Sequence, residues 1–215
     1  MKTATDIHTH TPAPGHCTAV LDISDGKPRV PGMLYSKGIH PLFFRGEEEL
    51  REIETEAAGG VLAAIGECGM DRNAPVCLKK QEYFFSRQVE LSEKYRLPLI
   101  IHCVRAFPEL LSVHKNMRPS ESWIIHGYNN NREILEALLR QGLCVSAGKH
   151  ILDPVSNIRQ WVSLVPADRL FLETDDSGFP LEKIYGETAR LRGETVERLT
   201  EHVWVNFRRT FHDKK

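Results

Sequence analysis

The sequence predicts an α/β fold, a TIM-type (β/α) barrel that is distorted and shortened in its N-terminal third. Three observations predict it. Short apolar runs recur along the chain, near-continuous rather than alternating, as in strands buried on both faces of a parallel sheet. Amphipathic stretches with helical spacing lie between them, the alternation that builds α/β proteins. The 215 residues suffice for one barrel near the lower end of the roughly 200 to 400 residues such folds occupy, so residues 1–215 are read as one domain.

The strand candidates number seven: ATDIHTH (Ala4–His10), MLYSKGIHP (Met33–Pro41), VLAAIGECGMD (Val61–Asp71), PLIIHCV (Pro98–Val104), SWIIHGY (Ser122–Tyr128), CVSAGK (Cys144–Lys149) and RLFLETD (Arg169–Asp175). An eighth fits within Thr18–Gly32, where AVLDI reads as a strand and DGKP as a tight turn. No helix fits between His10 and Met33, so this corner is expected to be reduced and partly antiparallel. Helices are expected at Cys77–Arg96, with Tyr83, Phe84, Val89 and Leu91 as its apolar positions, and at Ala106–Asn116, Asn130–Gln141 and Pro154–Leu164. Gly142 is a fitting stop for the third of these. A last helix, Glu194–Phe211, aligns Val196, Leu199, Val203, Phe207 and Phe211.

Composition narrows the function classes. A net charge of −1 excludes the broad basic field of a non-specific nucleic-acid binder, so any such role must come from a local site. No apolar run approaches the roughly 20 residues of a membrane span, and the start lacks the apolar core of a secretory signal. The five cysteines, Cys17, Cys68, Cys77, Cys103 and Cys144, are odd in number and form no CxxC, which points to free thiols in a reducing compartment. A cytoplasmic location is the expectation.

The chemistry lies at the ends of the runs. His8 and His10 close the first and point to one side of a strand. His40, Glu67, His102, His126 and Asp175 lie at or near the ends of later ones, and only CVSAGK carries no such residue. Strand C-termini of a barrel converge on one mouth. Imidazoles and carboxylates gathered there suit divalent cations. Two cations about 3.5–4 Å apart can share a water and bring its pKa toward neutrality, and a nearby carboxylate can accept its proton. Singly, each residue has a plainer reading: a hydrogen-bonded histidine, an arginine partner for Glu67, a helix cap for Asp175. Their joint order along the chain carries the inference. His114, His150, His202 and His212 do not end apolar runs and are read as structural or surface residues.

DIHTH, GIHP, GECGMD, IIHC, HGY and LETD resemble, in order and approximate spacing, the motifs of the TatD-like metal-dependent hydrolases of the amidohydrolase-type barrel superfamily, and NFRRTF (Asn206–Phe211) is similar to that family's C-terminal ending. The resemblance implies two divalent ions (zinc, manganese, magnesium, iron or nickel). By motif, His8, His10 and Asp175 would hold the first, His102 and His126 the second, and Glu67 would bridge them. It further implies Asp175 as the group that orients or deprotonates water, His40 as a phosphate contact, and DNA phosphodiesters as substrate. Two departures stand out: HCVR places Arg105, the expected substrate contact, one position late, and DDSGFP replaces the PY pair that usually follows the last carboxylate. Two other functions stay open on the residues. One is hydrolysis of a small-molecule amide, lactone or phosphoester, although the bridging lysine common in such relatives is absent from Val61–Gly66. The other is a metal-binding scaffold without catalysis.

Overall fold

The structure, a computed structural model, describes residues 3–13, 15, 17–24 and 26–212, the side chain of His212 excepted. The histidine read as structural at 212 and part of the turn expected at 25–28 therefore lie outside the described residues.

Eight strands form one sheet in chain order: β1 Ala4–Thr9, β2 Cys17–Asp22, β3 Leu34–Lys37, β4 Ala64–Asp71, β5 Leu99–Val104, β6 Trp123–Ile125, β7 Cys144–Ala147 and β8 Leu170–Leu172. Every neighbouring pair is parallel. The ring closes through a bridge between Thr9 and Asp175, with His10 N–H donating to the Asp175 carbonyl at 3.1 Å and Asp175 N–H to the His8 carbonyl at 2.9 Å. The arrangement is a TIM-type barrel.

The hidden strand is real but not antiparallel. β2 pairs parallel with both neighbours, Thr5 facing Thr18 and Leu21 facing Tyr35. Among the described residues no helix joins β1, β2 and β3. Instead the loop 23–33, stiffened by Pro28 and Pro31, returns the chain to the start of the next strand rather than turning it back as a hairpin. Val30 and Met33 pack on the core from this loop, and the Tyr35 hydroxyl donates to the Val30 carbonyl at 2.6 Å.

The outer helices are α1 Glu47–Ala58, α2 Leu78–Tyr95, α3 Phe107–Met117, α4 Arg132–Arg140, α5 Ile158–Trp161, α6 Leu181–Arg192 and α7 Val196–Phe207. α1 and α6 escape the periodicity reading. α1 buries only Glu49, Leu50, Ile53 and Ala57 beneath an acidic surface, and α6 carries a helix-weakening glycine, Gly186, at its middle. The expected helix over 154–164 shortens to α5 and a 3₁₀ turn, Val162–Leu164. On α2 the core position is taken by Phe85, edge-to-face with Trp123 at 5.1 Å, while Tyr83 faces solvent. Val196 is also exposed, in the first turn of α7. No helix among the described residues is long and apolar enough to cross a membrane.

One residue from each strand fills the lumen: Ile7, Val20, Leu34, Ala64, Ile100, Ile124, Cys144 and Phe171. Phe207 and Phe211 close it from the tail, and the Asn206 amide donates to the carbonyls of Ala167 (2.7 Å) and Leu170 (3.0 Å) at the start of β8. The plugged end is thus the N-terminal one, which leaves the opposite rim for chemistry.

Two glycines let β4 lie close enough to its neighbours to aim that rim. Gly69 has φ +141, and a Cβ there would collide with the His102 backbone; one at Gly38 would lie 2.5 Å from the Glu67 carbonyl. Gly69→Ala is therefore expected to cost about 3 kcal/mol, because the obstacle is backbone rather than a flexible side chain. Thermal unfolding should show a fall of about 6–12 °C, and an unchanged midpoint would refute the close-approach account.

Candidate metal centre at the barrel mouth

Glu67 occupies the middle of the mouth. It lies inside β4 rather than at its end, because pairing with β5 continues to Asp71 opposite Val104. The register slips between Ile65 and Cys68, and a slip of this kind re-aims the intervening side chain. β1 has a similar slip between Asp6 and Thr9, around His8. Asp175 has φ +55, a left-handed conformation held by the two hydrogen bonds that close the barrel.

The two carboxylate oxygens of Glu67 face different histidines. Oε1 lies 2.7 Å from His126 Nε2, 2.8 Å from His102 Nδ1 and 3.0 Å from His40 Nε2. Oε2 lies 3.3 Å from His8 Nε2 and 3.7 Å from His10 Nε2. Asp175 Oδ1 approaches the same two imidazoles, at 3.8 and 3.5 Å. The cavity above them is about 330 Å³, with Asp22, Arg45 and Phe43 also on its wall. His8, His10, His40, Glu67, His102, His126 and Asp175 are thereby brought together. Arg105 is not. It is exposed, in a left-handed turn (φ +54) after β5, and only its backbone carbonyl has a described role, accepting from Arg72 Nε at 2.7 Å. The extra residue, Val104, prolongs β5 and carries the arginine past the rim.

Several residues complete the site that motif spacing does not single out. Asp22, at the end of β2, offers an oxygen within 4.8 Å of donors from His8, His10 and Glu67. Asp71 Oδ2 is 3.1 Å from His102 Nε2, and Glu173 Oε1 is 3.3 Å from His126 Nδ1. Buried Glu173 also accepts from the Ser146 hydroxyl. Lys149 Nζ is 3.2 Å from Asp175 Oδ2 and also meets Asp176. For Asp71 and Glu173 the signal was present as the second carboxylate of GECGMD and LETD.

Burial pushes the Glu67 carboxyl up, but His126, His10 and His102 more than offset it and hold it well below the usual carboxylate range. Burial likewise disfavours charge on His126, yet Glu67 and Glu173 raise its pKa well above the ordinary value. His8 is raised in the same sense, Glu67 outweighing burial. Without metal, Glu67 thus favours its ionised form and His8 and His126 their protonated forms.

The sequence matches the TatD related DNase family over residues 5–212. The chain belongs to the TatD family. It is 30% identical over 211 residues to a 3'-5' ssDNA/RNA exonuclease TatD from Pantoea vagans (strain C9-1), covering 84% of this chain and 79% of the relative. It is 29% identical over 197 residues to one from Erwinia amylovora, covering 81% and 76%. The fold is shared with YJJV, a TatD homolog from Escherichia coli k12 (TM-score 0.83, 18% identity, 97% of each chain). It is also shared with a TatD family hydrolase from Entamoeba histolytica (TM-score 0.78, 15% identity, 98% of each). The TatD chain is a metal-dependent hydrolase.

The donor set fits divalent cations. Three groups of ligand-type residues have donor atoms within 4.8 Å of one another: His8, His10, Asp22 and Glu67; His8, His126 and Asp175; His40, Glu67 and His102. Both ring nitrogens of buried His8 lack a hydrogen-bond partner among the described residues. A buried imidazole in that state is a ligand awaiting a cation. Asp71 and Glu173 are placed to hold the far nitrogens of His102 and His126, which sets ring orientation. Asp71→Asn and Glu173→Gln are each expected to lower metal affinity or turnover by about 10–100-fold. Metal titration and rate measurement on variants with unchanged melting would check this, and wild-type values would remove the orienting role.

Proposed function

We propose that this TatD-family chain hydrolyses phosphodiester bonds of DNA, using two divalent cations at the barrel mouth. The observation that carries the reading is Glu67, one oxygen of which faces His102 and His126 and the other His8 and His10. A carboxylate so placed suits a bridge between two sites. His8, His10 and Asp175 would hold one ion and His102 and His126 the other; Asp22 lies near enough to join the first. Zinc, iron and nickel suit these imidazole-rich donors, and manganese or magnesium would rely chiefly on the carboxylates. When bound, the cations make water acidic and offset the charge of the phosphate.

The chain's own residues supply the rest. Asp175 would take the proton of the attacking water, and Lys149 Nζ lies 3.2 Å from its Oδ2. His40, at the rim and 3.0 Å from Glu67, would donate to a phosphate oxygen. Asp6, within the wall, accepts from Thr174 N–H (3.1 Å) and its hydroxyl (2.6 Å), tying the segment that bears Asp175 to β1. Relatives named as ssDNA/RNA exonucleases support a nucleic-acid substrate. The match over 5–212 supports reading the chain as one catalytic unit.

Asp175→Asn should lower turnover of a DNA oligonucleotide by about 10²–10⁴ with the fold intact. Equal turnover would assign the base elsewhere. Glu67→Gln should lose bound metal as well as rate, which elemental analysis of the purified variant reads directly; full occupancy of both sites would sink the bridging assignment. Metal uptake has a pH sign of its own. His8 and His126 hold protons above their ordinary range, so cations must displace them. Loading should therefore release protons and weaken as pH falls, measured by titration calorimetry at two pH values; pH-independent loading would contradict it.

A further inference from the structure

A second groove opens beside the mouth, and the reaction as derived does not use it. It lies between the loop after β3 and the start of α2, encloses about 540 Å³, and is walled by Phe44, Lys79, Lys80 and Tyr83 over the ring of Phe84. Aromatic residues line both: Phe43 is on the wall of the mouth and Phe44, the next residue, on that of the groove. His40 and Phe43 have centroids 5.3 Å apart. Phe44 follows in the chain and meets Phe84 edge-on at 4.3 Å, and Phe84 meets Tyr83 at 5.0 Å. Phe84 is buried in the core and Phe44 packs against it, whereas Phe43 is 69% and Tyr83 50% exposed. Lys80 Nζ sits 4.5 Å above the Phe44 ring, and Lys79 is exposed beside it. One carboxylate, Glu47, lies on the rim.

We propose that this groove holds single-stranded DNA as it leaves the mouth, with Phe43 and Tyr83 stacking on unpaired bases and Lys79 and Lys80 taking phosphates. The proposal rests on the reading of the chain as a DNA hydrolase. The net charge of −1 provides no general attraction for a polyanion, so a strand must be held by local features. Exposed rings flanked by lysines are the combination that binds single strands without regard to sequence, since every base has a face to stack. Bases already paired and stacked in a duplex cannot use such rings. Phe43 on the wall of the mouth and Phe44 on that of the groove are consecutive residues, so a strand whose reacting phosphate lies at Glu67 would pass Phe43 first and Tyr83 further out.

The test uses the metal-loaded enzyme, with Tyr83→Ala and the pair Lys79→Gln and Lys80→Gln, all at exposed side chains. The substrates are a single strand of about a dozen nucleotides, its duplex, and bis(p-nitrophenyl) phosphate, for comparison across the length range that stacking needs. Tyr83→Ala should lower kcat/KM on the single strand by about 5- to 150-fold, chiefly through KM, and by far less on the duplex and the small diester. The lysine variant should flatten the dependence of log KM on log salt by about 0.7 for each phosphate that the lysines no longer neutralise. Unchanged single-strand kinetics, or an equal loss on all three substrates, overturns the groove. So does a shift in sedimenting mass without a kinetic change, which would assign the face to a second copy of the chain. If the wild-type enzyme cleaves none of the substrates, the DNA-hydrolase reading fails, and the groove is still judged: fluorescence anisotropy of a labelled strand must show weaker binding to Tyr83→Ala, and equal binding refutes it.

Discussion

A single ionised carboxylate sunk among imidazoles is the constraint around which this molecule is built. Removing Glu67 from water is costly unless opposite charge and hydrogen bonds surround it. Here five histidines from four separate strands or strand ends face it: His8 on β1 and His10 just after it, His40 after β3, His102 on β5, and His126 after β6. None of these partners is a neighbour of Glu67 in sequence, so the site exists only when the ring of strands closes. Cations suited to this donor set would replace the protons that His8 and His126 favour, which ties metal uptake to proton release.

The scaffold meets that demand by specializing its two ends. The lumen of the N-terminal half is filled by one side chain per strand and stoppered by Phe207 and Phe211. The C-terminal rim is kept polar, and its strands are bent locally where ligand-type residues occur, at the slips in β1 and β4. Closure itself is made at the rim, since the hydrogen bonds that join β1 to the segment after β8 involve the backbone of His8, His10 and Asp175. Folding of the barrel and positioning of three of its functional side chains are therefore the same event.

The corner without helices shapes the mouth as well. With no helix among the described residues that join β1, β2 and β3, Asp22 at the end of β2 reaches the donors of β1, and the loop after β3 stands out beside the opening with Leu42 and Phe43 exposed. That loop leads to α1, whose first turn is anchored by Glu49 accepting from the backbone N–H of Arg45 (2.7 Å) and Gly46 (3.2 Å). A short chain thus keeps a defined wall where a longer connection would otherwise be needed.

The sequence by itself determined the alternation of elements, seven of the strands, and the order of His8, His10, His40, Glu67, His102, His126 and Asp175 along the rim. These were legible because strand burial and ligand chemistry are both local properties of residue type. It did not determine α1 or α6, whose apolar faces are too sparse to stand out from an acidic or glycine-weakened background, nor the parallel direction of β2, which depends on partners on both sides. Tertiary structure alone decided that Arg105 turns away while Asp22, Asp71, Glu173 and Lys149 turn in. The reason is geometric: a one-residue slip or a left-handed turn redirects a side chain completely, and such slips are set by pairing with a neighbouring strand rather than by the residues that undergo them.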